Sequence, residues 1–393
     1  FNDKLQKFAA YVSEKVSKNV KDILPKTDDE FDRYKDQVVR ALSAFDVKQP
    51  YAHASYYANL NLQPPRFQYT NAQLREETAK ATLQDLKSYA TTVWSSGKGQ
   101  ALVQGNVDEL ETNYLVKTID KTLGFRTIPD EQVPDQLKPL RLPKPTNVPK
   151  NADMPSLLRR TRLVVAEPNP VNSNAASFVM VQSLGEGAKD HVMIELLSSI
   201  VEQPFYDDLR TKQQLGYIVS NGVKAVGKTR TLSFIVQSSV APVEKLTTET
   251  LKFLDGIRDR LEKLPSVDFG TYVKGLIDRK TEPDKQLATE VMRNWAEISS
   301  GRLEFDRIQR ETAALLDLNK SDLVDFWNRI YVDNESRVLI TQIVPREGPA
   351  SSPAPPKSTG YKSMEDKRPP RGLLLGIDDI DDFRSDLEAG IFA

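Results

Sequence analysis

The sequence of 393 residues contains no cysteine. The chain therefore has no disulfide, no catalytic thiol and no zinc–thiolate site. A lack of cysteine fits a protein of the reducing intracellular environment. We predict a cytoplasmic location.

Histidine is almost as scarce, because only His53 and His191 are present. His53 lies in the aromatic stretch YAHASYY, where a packed or capping role is expected. His191 and Glu195 are four residues apart and can share one helix face. A catalytic zinc site takes three protein ligands, and the sequence has neither HExxH nor its inverse. We predict that this chain binds no metal.

Basic clusters and long apolar runs are also missing. The formal net charge is −1 without a Lys/Arg block, so we expect no nucleic-acid partner. The sequence has no run of about 18 apolar residues, and we expect no membrane span. The first residues, FNDK, have neither a methionine nor a signal-peptide pattern. We interpret them as the start of a fragment.

The N-terminal third is rich in helix signals. Apolar residues at helical spacing predict a helix over residues 1–16, and Thr27 with Glu30 predicts a capping box for a second one. Further helices are predicted from Pro50, over 72–96 and over 107–123, the last ending at Gly124. The segment 101–104 is the one strand predicted in this region.

The predicted secondary structure changes from helices alone to mixed strands and helices after a linker. Residues 125–156 contain seven prolines without periodicity, which predicts an extended linker. The pattern beyond it predicts, in order, strands over 161–167 and 176–183, a helix over 187–204, a hairpin over 216–226 and 230–239, helices within 243–331 and a strand over 336–344. Residues 346–372 have low complexity and are expected to be mobile. The tail 373–393 is expected to dock on a domain.

Two halves of the sequence share a weak repeat. Phe31 matches Phe269 at an offset of 238, and Asp85 matches Asp322 at an offset of 237. A common offset indicates duplication. The strand-rich first part of the second repeat has no counterpart ahead of Phe1, so we expect the first domain to be truncated at its N-terminus. Its helices should then expose an apolar face.

A helix-to-strand corner is predicted in the segment DLRTKQQLGYIV, residues 208–219. Its charged first half suits a helix end, and its apolar second half suits a strand. The corner brings together a permanent cation, Arg210, and a phenol, Tyr217, on either side of Gly216. From these residues alone, Arg210 has a second interpretation as an ion-pair partner at a helix end, and Tyr217 as a packing residue.

The segments EQPFYDDLRTKQQLGYIVSNG and LSFIVQSS resemble the carboxyl-terminal half of the insulinase (pitrilysin-type) family of zinc metallopeptidases. The resemblance extends to FDVKQPYAHASYY (45–57), LVQGN (102–106), Trp295 in RNWAEIS, and IDDIDDF (377–383). The resemblance includes fungal members of the family that process the a-factor pheromone, and we predict a role in pheromone processing. The resemblance implies an α+β fold of homologous domains, each an antiparallel-rich sheet covered by helices.

The resemblance also implies domain bounds, which we state as predictions. They are the C-terminal part of a third insulinase-type domain (1–140), a Pro-rich linker (141–156), a fourth domain core (157–345), a mobile segment (346–372) and the tail of the fourth domain (373–393).

In this family the zinc motif lies in the N-terminal half of the enzyme. The resemblance therefore implies that this chain is the non-catalytic half of a zinc metalloendopeptidase, inactive alone, which closes a peptide chamber. It implies that Arg210 and Tyr217 donate hydrogen bonds to the transition state as auxiliary catalytic residues. It also assigns Tyr206 and Gly216 to substrate binding. The expected partners are the N-terminal half, peptide substrates and another copy of the chain.

Two points remain open from the sequence. A non-proteolytic scaffold or peptide-binding module of the same fold, like core subunits of respiratory complexes, is the alternative function. Family members from animals carry several lysines after the proline that matches Pro283, whereas this chain has Asp284 and a single Lys285. We therefore do not expect activation by polyanions.

Overall fold

The computed structural model describes residues 2–17, 23–93, 95–133, 139–144, 160–333, 336–359, 361 and 373–389. The helices are α1 (Asn2–Ser17), α2 (Asp28–Ser43), α3 (Pro50–Leu60), α4 (Asn71–Lys80), α5 (Leu83–Thr92), α6 (Glu109–Leu123), α7 (Ala188–Tyr206), α8 (Val243–Asp255), α9 (Ile257–Lys263), α10 (Ser266–Thr281), α11 (Leu287–Ser299), α12 (Arg307–Leu316), α13 (Lys320–Trp327) and α14 (Ile380–Glu388).

Short helical turns and strands complete the element list. Two π-helical segments, Asp207–Lys212 and Asn328–Val332, and two 3₁₀ turns, Asp130–Gln132 and Ile377–Asp379, are present. The strands are β1 (Ser96–Gly97), β2 (Arg126–Thr127), β3 (Thr161–Ala166), β4 (Ala175–Ser183), β5 (Ile218–Val226), β6 (Thr229–Ser238), β7 (Val338–Val344) and β8 (Leu374–Leu375). None of the helices in the described ranges combines the length and apolar character needed to span a membrane.

The chain divides into two compact units. Unit 1 contains Phe1–Phe45, Thr70–Asp135 and Asp284–Ser299, and unit 2 contains Asp46–Tyr69, Gln136–Pro283 and Ser300–Ala393. This grouping assigns α3 to unit 2, whereas the bounds implied by the resemblance put it in the first domain. Those bounds stay predictions.

Unit 1 is a set of helices with the short parallel pair β1–β2. Its helices begin at local capping signals. Thr27 accepts a hydrogen bond from the backbone N–H of Glu30, and Asp108 caps α6 in the same way, while Gly124 ends α6 with a positive φ of 64°. The expected apolar exposure is present, because Phe8 is 66% and Leu110 is 81% exposed.

Two sequence predictions fail in unit 1. The helix expected over 72–96 is two helices, because Thr82 and Asp85 form a capping box that starts α5 after Ala81 leaves the helical conformation. The segment 101–104 is not a strand. A strand is stable only with a hydrogen-bonded neighbour, and the described residues of unit 1 form sheet only at β1 and β2.

Unit 2 is built on a six-stranded sheet with the order β5-β6-β4-β7-β3-β8. The pairs β5–β6, β6–β4 and β4–β7 are antiparallel, whereas β7–β3 and β3–β8 are parallel. The α+β class with an antiparallel-rich sheet is therefore confirmed. The strands predicted from the sequence agree with β3 to β7 within two residues at each end.

The core of unit 2 lies between one face of this sheet and the helices that pack on that face. Alternate residues of each strand face opposite sides, and Val179, Val181 and Ile340 belong to a core cluster shared with α7, α8 and α13. Helix α3 packs against β4, β6 and β7. Because its buried residues are outside that cluster, α3 covers the other face.

The C-terminal tail docks on unit 2, as expected. Strand β8 pairs with β3, and the buried Arg384 of α14 donates hydrogen bonds to the backbone oxygens of Gln63 and Gln68. The predicted mobile segment 346–372 lies partly outside the described residues. Its described end is bonded to the tail, because Ser358 and Thr359 donate to the buried carboxylate of Asp379.

Candidate substrate-contact corner

The helix that leads to the corner changes its hydrogen bonding before it ends. Helix α7 contains Pro204, which cannot donate a backbone hydrogen bond. It continues into the π-helical segment Asp207–Lys212, which contains Arg210. A π-helix is rare and often marks a functional position, because the wider turn re-aims its side chains. Leu209 within it is completely buried and anchors the segment in the core.

The chain reverses at Gln214, which has a positive φ of 52°. The backbone N–H of Leu215 then donates to the oxygen of Leu209 at 3.0 Å. Leu215 is only 2% exposed and belongs to the same core cluster as Leu209. Two buried leucines thus hold both ends of a reversal whose remaining residues face solvent.

Gly216 follows the reversal and is needed for space. A Cβ at this position would lie 1.9 Å from the backbone oxygen of Gln237 and 2.8 Å from its carbonyl carbon. The positive φ that a tight glycine turn would have is at Gln214 instead. Gly216 therefore lets two backbone segments approach, and the reversal predicted at the glycine lies two residues earlier.

The structure brings Arg210 and Tyr217 together. The guanidinium carbon of Arg210 lies 5.5 Å from the centroid of the Tyr217 ring, a cation–π contact. Tyr217 is 81% exposed, and Arg210 is half-buried. In the described part of the chain, neither the guanidinium nor the phenol oxygen has a hydrogen-bond partner. Both keep their donors available.

Tyr206, the third predicted site residue, ends α7 four residues before Arg210 and is 44% exposed. Its phenol also makes no hydrogen bond to a described residue. Gly216 is buried beside them. The four predicted residues thus lie in one short segment, with three side chains that reach solvent.

Sequence reasoning missed Gln237, which supports this corner. It pairs with Ile218 across the β5–β6 ladder, is 7% exposed, and its side chain bonds to residues at the start of α3. The sequence signal that could have found Gln237 is a glutamine at the end of an apolar strand, in the segment IVQSS. Its partners are separated from it by more than 180 residues in the sequence, and no local pattern reveals them.

The histidines occupy structural positions. His53 Nδ1 lies 3.2 Å from Glu167 Oε2 with both side chains fully buried, which confirms a packed histidine. His191 Nε2 lies 2.8 Å from the backbone oxygen of Lys228 and must donate to it. Its Nδ1 faces Glu311 Oε1 at 3.6 Å.

The carboxylates near His191 are held by cations. Lys280 Nζ lies 2.7 Å from Glu311 and 2.5 Å from Glu195, and Arg307 lies 3.0 Å from Glu311. Burial, the largest influence on Arg230, lowers the pKa of its guanidinium, and the charge of Glu195 partly offsets this.

Across the described ranges no group of three or more His, Cys, Asp or Glu side chains can hold a metal ion.

Comparison with known proteins identifies relatives that match about two thirds to three quarters of the chain. A family model described as "PQQ synthase PqqF-like, C-terminal lobe domain 4" matches residues 196–295. Human insulin-degrading enzyme is 28% identical over 300 residues, covering 76% of this chain and 28% of that protein. Human nardilysin is 29% identical over 265 residues, covering 67% of this chain and 22% of that protein. The chain thus spans less than a third of the length of these two relatives.

Solved structures share the fold. The crystal structure of pitrilysin aligns with a TM-score of 0.71 at 17% identity, over 92% of this chain and 35% of that chain. A peptidase M16 inactive domain from Pseudomonas fluorescens aligns with a TM-score of 0.55 at 14% identity, over 84% of this chain and 73% of that chain.

Proposed function

Because the chain is homologous to insulin-degrading enzyme and nardilysin and has the fold of the pitrilysin-type (M16) peptidases, we propose that it is the C-terminal half of a metalloendopeptidase. In this proposal it closes a chamber around peptide substrates and contributes Arg210 and Tyr217 to the place of cleavage. In this proposal a catalytic zinc ion would be held by residues of the N-terminal half, where it would supply the Lewis-acid chemistry of peptide hydrolysis.

The single observation that carries the proposal is the contact between Arg210 and Tyr217. The guanidinium carbon of Arg210 lies 5.5 Å from the centroid of the Tyr217 ring, and the polar ends of both side chains make no hydrogen bond within the described residues. A surface arginine kept only for stability would gain most from a nearby carboxylate. Here the guanidinium carbon lies over the Tyr217 ring at 5.5 Å from its centroid, and the group has no hydrogen-bond partner among the described residues.

This arrangement suits the charge that develops during peptide hydrolysis. Attack on the scissile carbonyl places negative charge on its oxygen, and a donor already in place there contributes about 2.7–4 kcal/mol. Arginine is always protonated, and tyrosine is a neutral donor at physiological pH. In this proposal the contact between the two side chains holds both donors near the same oxygen.

The other two predicted site residues take supporting roles. Tyr206 is exposed on the same segment and is proposed to present its ring to a substrate side chain. Gly216 is buried against Gln237, and we assign it to the placement of Tyr217. Direct contact of Gly216 with substrate stays a prediction, as do pheromone processing and the cytoplasmic location.

The proposal is tested with the chain alone and joined to its N-terminal half. An internally quenched peptide should be cleaved only by the complete enzyme. Tyr217→Phe in that enzyme should lower kcat with little change in KM, because the donor acts mainly in the transition state. Tyr69→Phe, which alters another exposed tyrosine of unit 2 (52% exposed), is the matched control.

Two outcomes would overturn the proposal. Zinc-dependent cleavage by the isolated chain would show that the catalytic site lies within it. An unaltered kcat for both Tyr217→Phe and Arg210→Lys would remove the transition-state role and favour the alternative of a non-proteolytic scaffold.

A further inference from the structure

We propose that Gln237 is a positioning residue that holds the Arg210–Tyr217 pair in place through Gly216. The inference rests on the proposed function, because it concerns the same corner. Gln237 makes two kinds of contact, one through its backbone and one through its side chain, and they link the corner to helix α3.

The backbone of Gln237 determines where the corner can lie. Its carbonyl group occupies the space that a side chain at Gly216 would need, with 1.9 Å between that oxygen and an added Cβ. Gln237 also pairs with Ile218 in the β5–β6 ladder. Tyr217 lies between these two contacts, so its Cα follows any displacement of the Gln237 backbone.

The side chain of Gln237 is fixed by the first turn of α3. Its Oε1 accepts a hydrogen bond from the backbone N–H of Tyr51 at 2.9 Å, and its Nε2 donates to Gln49 Oε1 at 3.1 Å. Gln49 is the N-cap of α3 but provides no side-chain cap bond. Gln237 therefore supplies the acceptor that an N-cap side chain normally gives to a free helix N–H.

Helix α3 is a firm support because it is anchored at other points. His53 contacts Glu167 at 3.2 Å, and both side chains are fully buried. Beyond the helix, the oxygen of Gln63 accepts from Arg384 at 3.0 Å. The amide of Gln237 thus connects the last residues of β6 to a helix that cannot shift easily.

Loss of the side-chain contacts should release the end of β6. The carbonyl group of Gln237, which packs against Gly216, can then move. The phenol of Tyr217 moves with it and is displaced relative to the substrate. A displacement of about 1 Å can cost up to about 100-fold in rate, and for a partial release we expect a decrease in kcat of about tenfold. KM should change much less, because ground-state binding does not depend on this donor.

The experiment is a double-mutant cycle in the complete enzyme with an internally quenched peptide. Gln237→Met keeps the length of the side chain and removes both hydrogen bonds. If Gln237 acts through Tyr217, the change should lower kcat about tenfold in the wild-type background and less than about twofold in the Tyr217→Phe background. Gln237→Glu keeps the acceptor for Tyr51 and should restore part of the loss.

Gln182→Met is the matched structural control. Gln182 is also a buried glutamine on a strand of the same sheet, and its side chain also makes two hydrogen bonds, in this case both to backbone groups, those of Leu140 and Leu142. This change should lower thermal stability to a similar extent and leave kcat unchanged. Hydrogen exchange of the backbone amides of residues 214–218 gives a second readout, which should accelerate in Gln237→Met and not in Gln182→Met.

The outcomes separate the two proposals. If Tyr217→Phe lowers kcat and the effect of Gln237→Met is fully additive with it, the positioning role is overturned and the proposed function stands. If neither Tyr217→Phe nor Arg210→Lys changes kcat, the proposed function and the positioning role both fail. Unchanged amide exchange at 214–218 in Gln237→Met would overturn the positioning role independently of activity.

Discussion

The carboxylate of Glu311 lies 2.7 Å from the ammonium group of Lys280, and none of the Glu311 side chain is exposed. Burial, the largest influence, raises the pKa of this carboxyl group. Contacts with His191, Lys280 and Arg307 outweigh it and lower the pKa from 4.5 to about 2. Ionised Glu311 therefore contributes stability that is fully present above about pH 4.5 and is lost as the pH falls towards 2.

Glu311→Gln should lower the free energy of unfolding by about 3 kcal/mol at neutral pH, because it removes the buried carboxylate that faces Lys280 and Arg307. The difference in unfolding free energy between the variant and the wild type should become smaller as the pH is lowered from about 4.5 towards 2. Urea unfolding at a series of pH values measures it. Glu262→Gln, which alters an exposed ion pair with Arg258, should have no measurable effect, and a pH-independent deficit for Glu311→Gln would contradict the assignment.

Gly216→Ala should destabilise unit 2 and disturb the corner. The new methyl group would meet a backbone oxygen of β6, which cannot rotate away as a flexible side chain can. We expect a loss of about 1–3 kcal/mol, the usual range for overpacking. Gly222→Ala on β5 is the control, because its Cβ would meet no atom within 4 Å. Thermal unfolding of the two variants gives the comparison, and equal melting temperatures would show that the corner tolerates the shift.

Gln214→Gly should be tolerated or should stabilise the chain. A non-glycine residue in the left-handed region costs about 1 kcal/mol or more, and Gln214 has a φ of 52°. Glycine removes that strain, although it adds entropy to the unfolded chain. Gln214→Val should destabilise, because a β-branched side chain fits this region poorly. Chemical denaturation gives the free energy of unfolding of each variant. A Gln214→Val variant more stable than the wild type would refute a strained reversal at this position.

Local signals explain how much of the fold could be predicted from the sequence. Thr82 with Asp85, and Asn319 with Asp322, form equivalent capping boxes in the structure, at the offset of 237 that the sequence repeat has. Apolar segments bounded by turn signals likewise located the strands of unit 2. The break at Ala81 escaped prediction because apolar spacing continues across it, and the supposed strand at 101–104 depended on a partner that the sequence could not reveal.

The candidate site shows the same limit. Arg210 and Tyr217 are seven residues apart, so a corner between them could be predicted to bring them close. The π-helical segment and the reversal at Gln214 depend on where Leu209 and Leu215 enter the core. The role of Gln237 depends on packing across the sheet, which a linear pattern does not encode.

Asp379→Ala should loosen the C-terminal tail. Its buried carboxylate accepts from the side chain of Ser358, from the backbone and side chain of Thr359 and from the backbone of Gly376. Burial opposes ionisation most strongly, but these hydrogen bonds together lower the pKa of Asp379 below its ordinary value. The carboxylate therefore stabilises the docked tail at neutral pH, and this contribution is lost only in acid.

Hydrogen exchange of residues 373–389 measures the loosening. Asp379→Ala removes the acceptor of the buried Gly376 N–H, which costs about 1–3 kcal/mol, and it also removes the contacts with Ser358 and Thr359. Exchange should therefore accelerate throughout β8 and α14. Asp378→Ala changes the exposed neighbour and should leave exchange as in the wild type. Equal protection in both variants would show that pairing of β8 with β3 holds the tail without Asp379.

The isolated chain should associate as its concentration rises. Phe8 on α1 is 66% exposed and Leu110 at the start of α6 is 81% exposed, although α1 and α6 pack against each other. Exposed apolar side chains of this size favour contact with another surface. Sedimentation velocity over a concentration series should show the shift, and Phe8→Glu with Leu110→Glu should suppress it. Val267→Glu alters an equally exposed apolar residue of unit 2 (80% exposed) and should not. A chain that stays monomeric at every concentration would show that these faces need no cover.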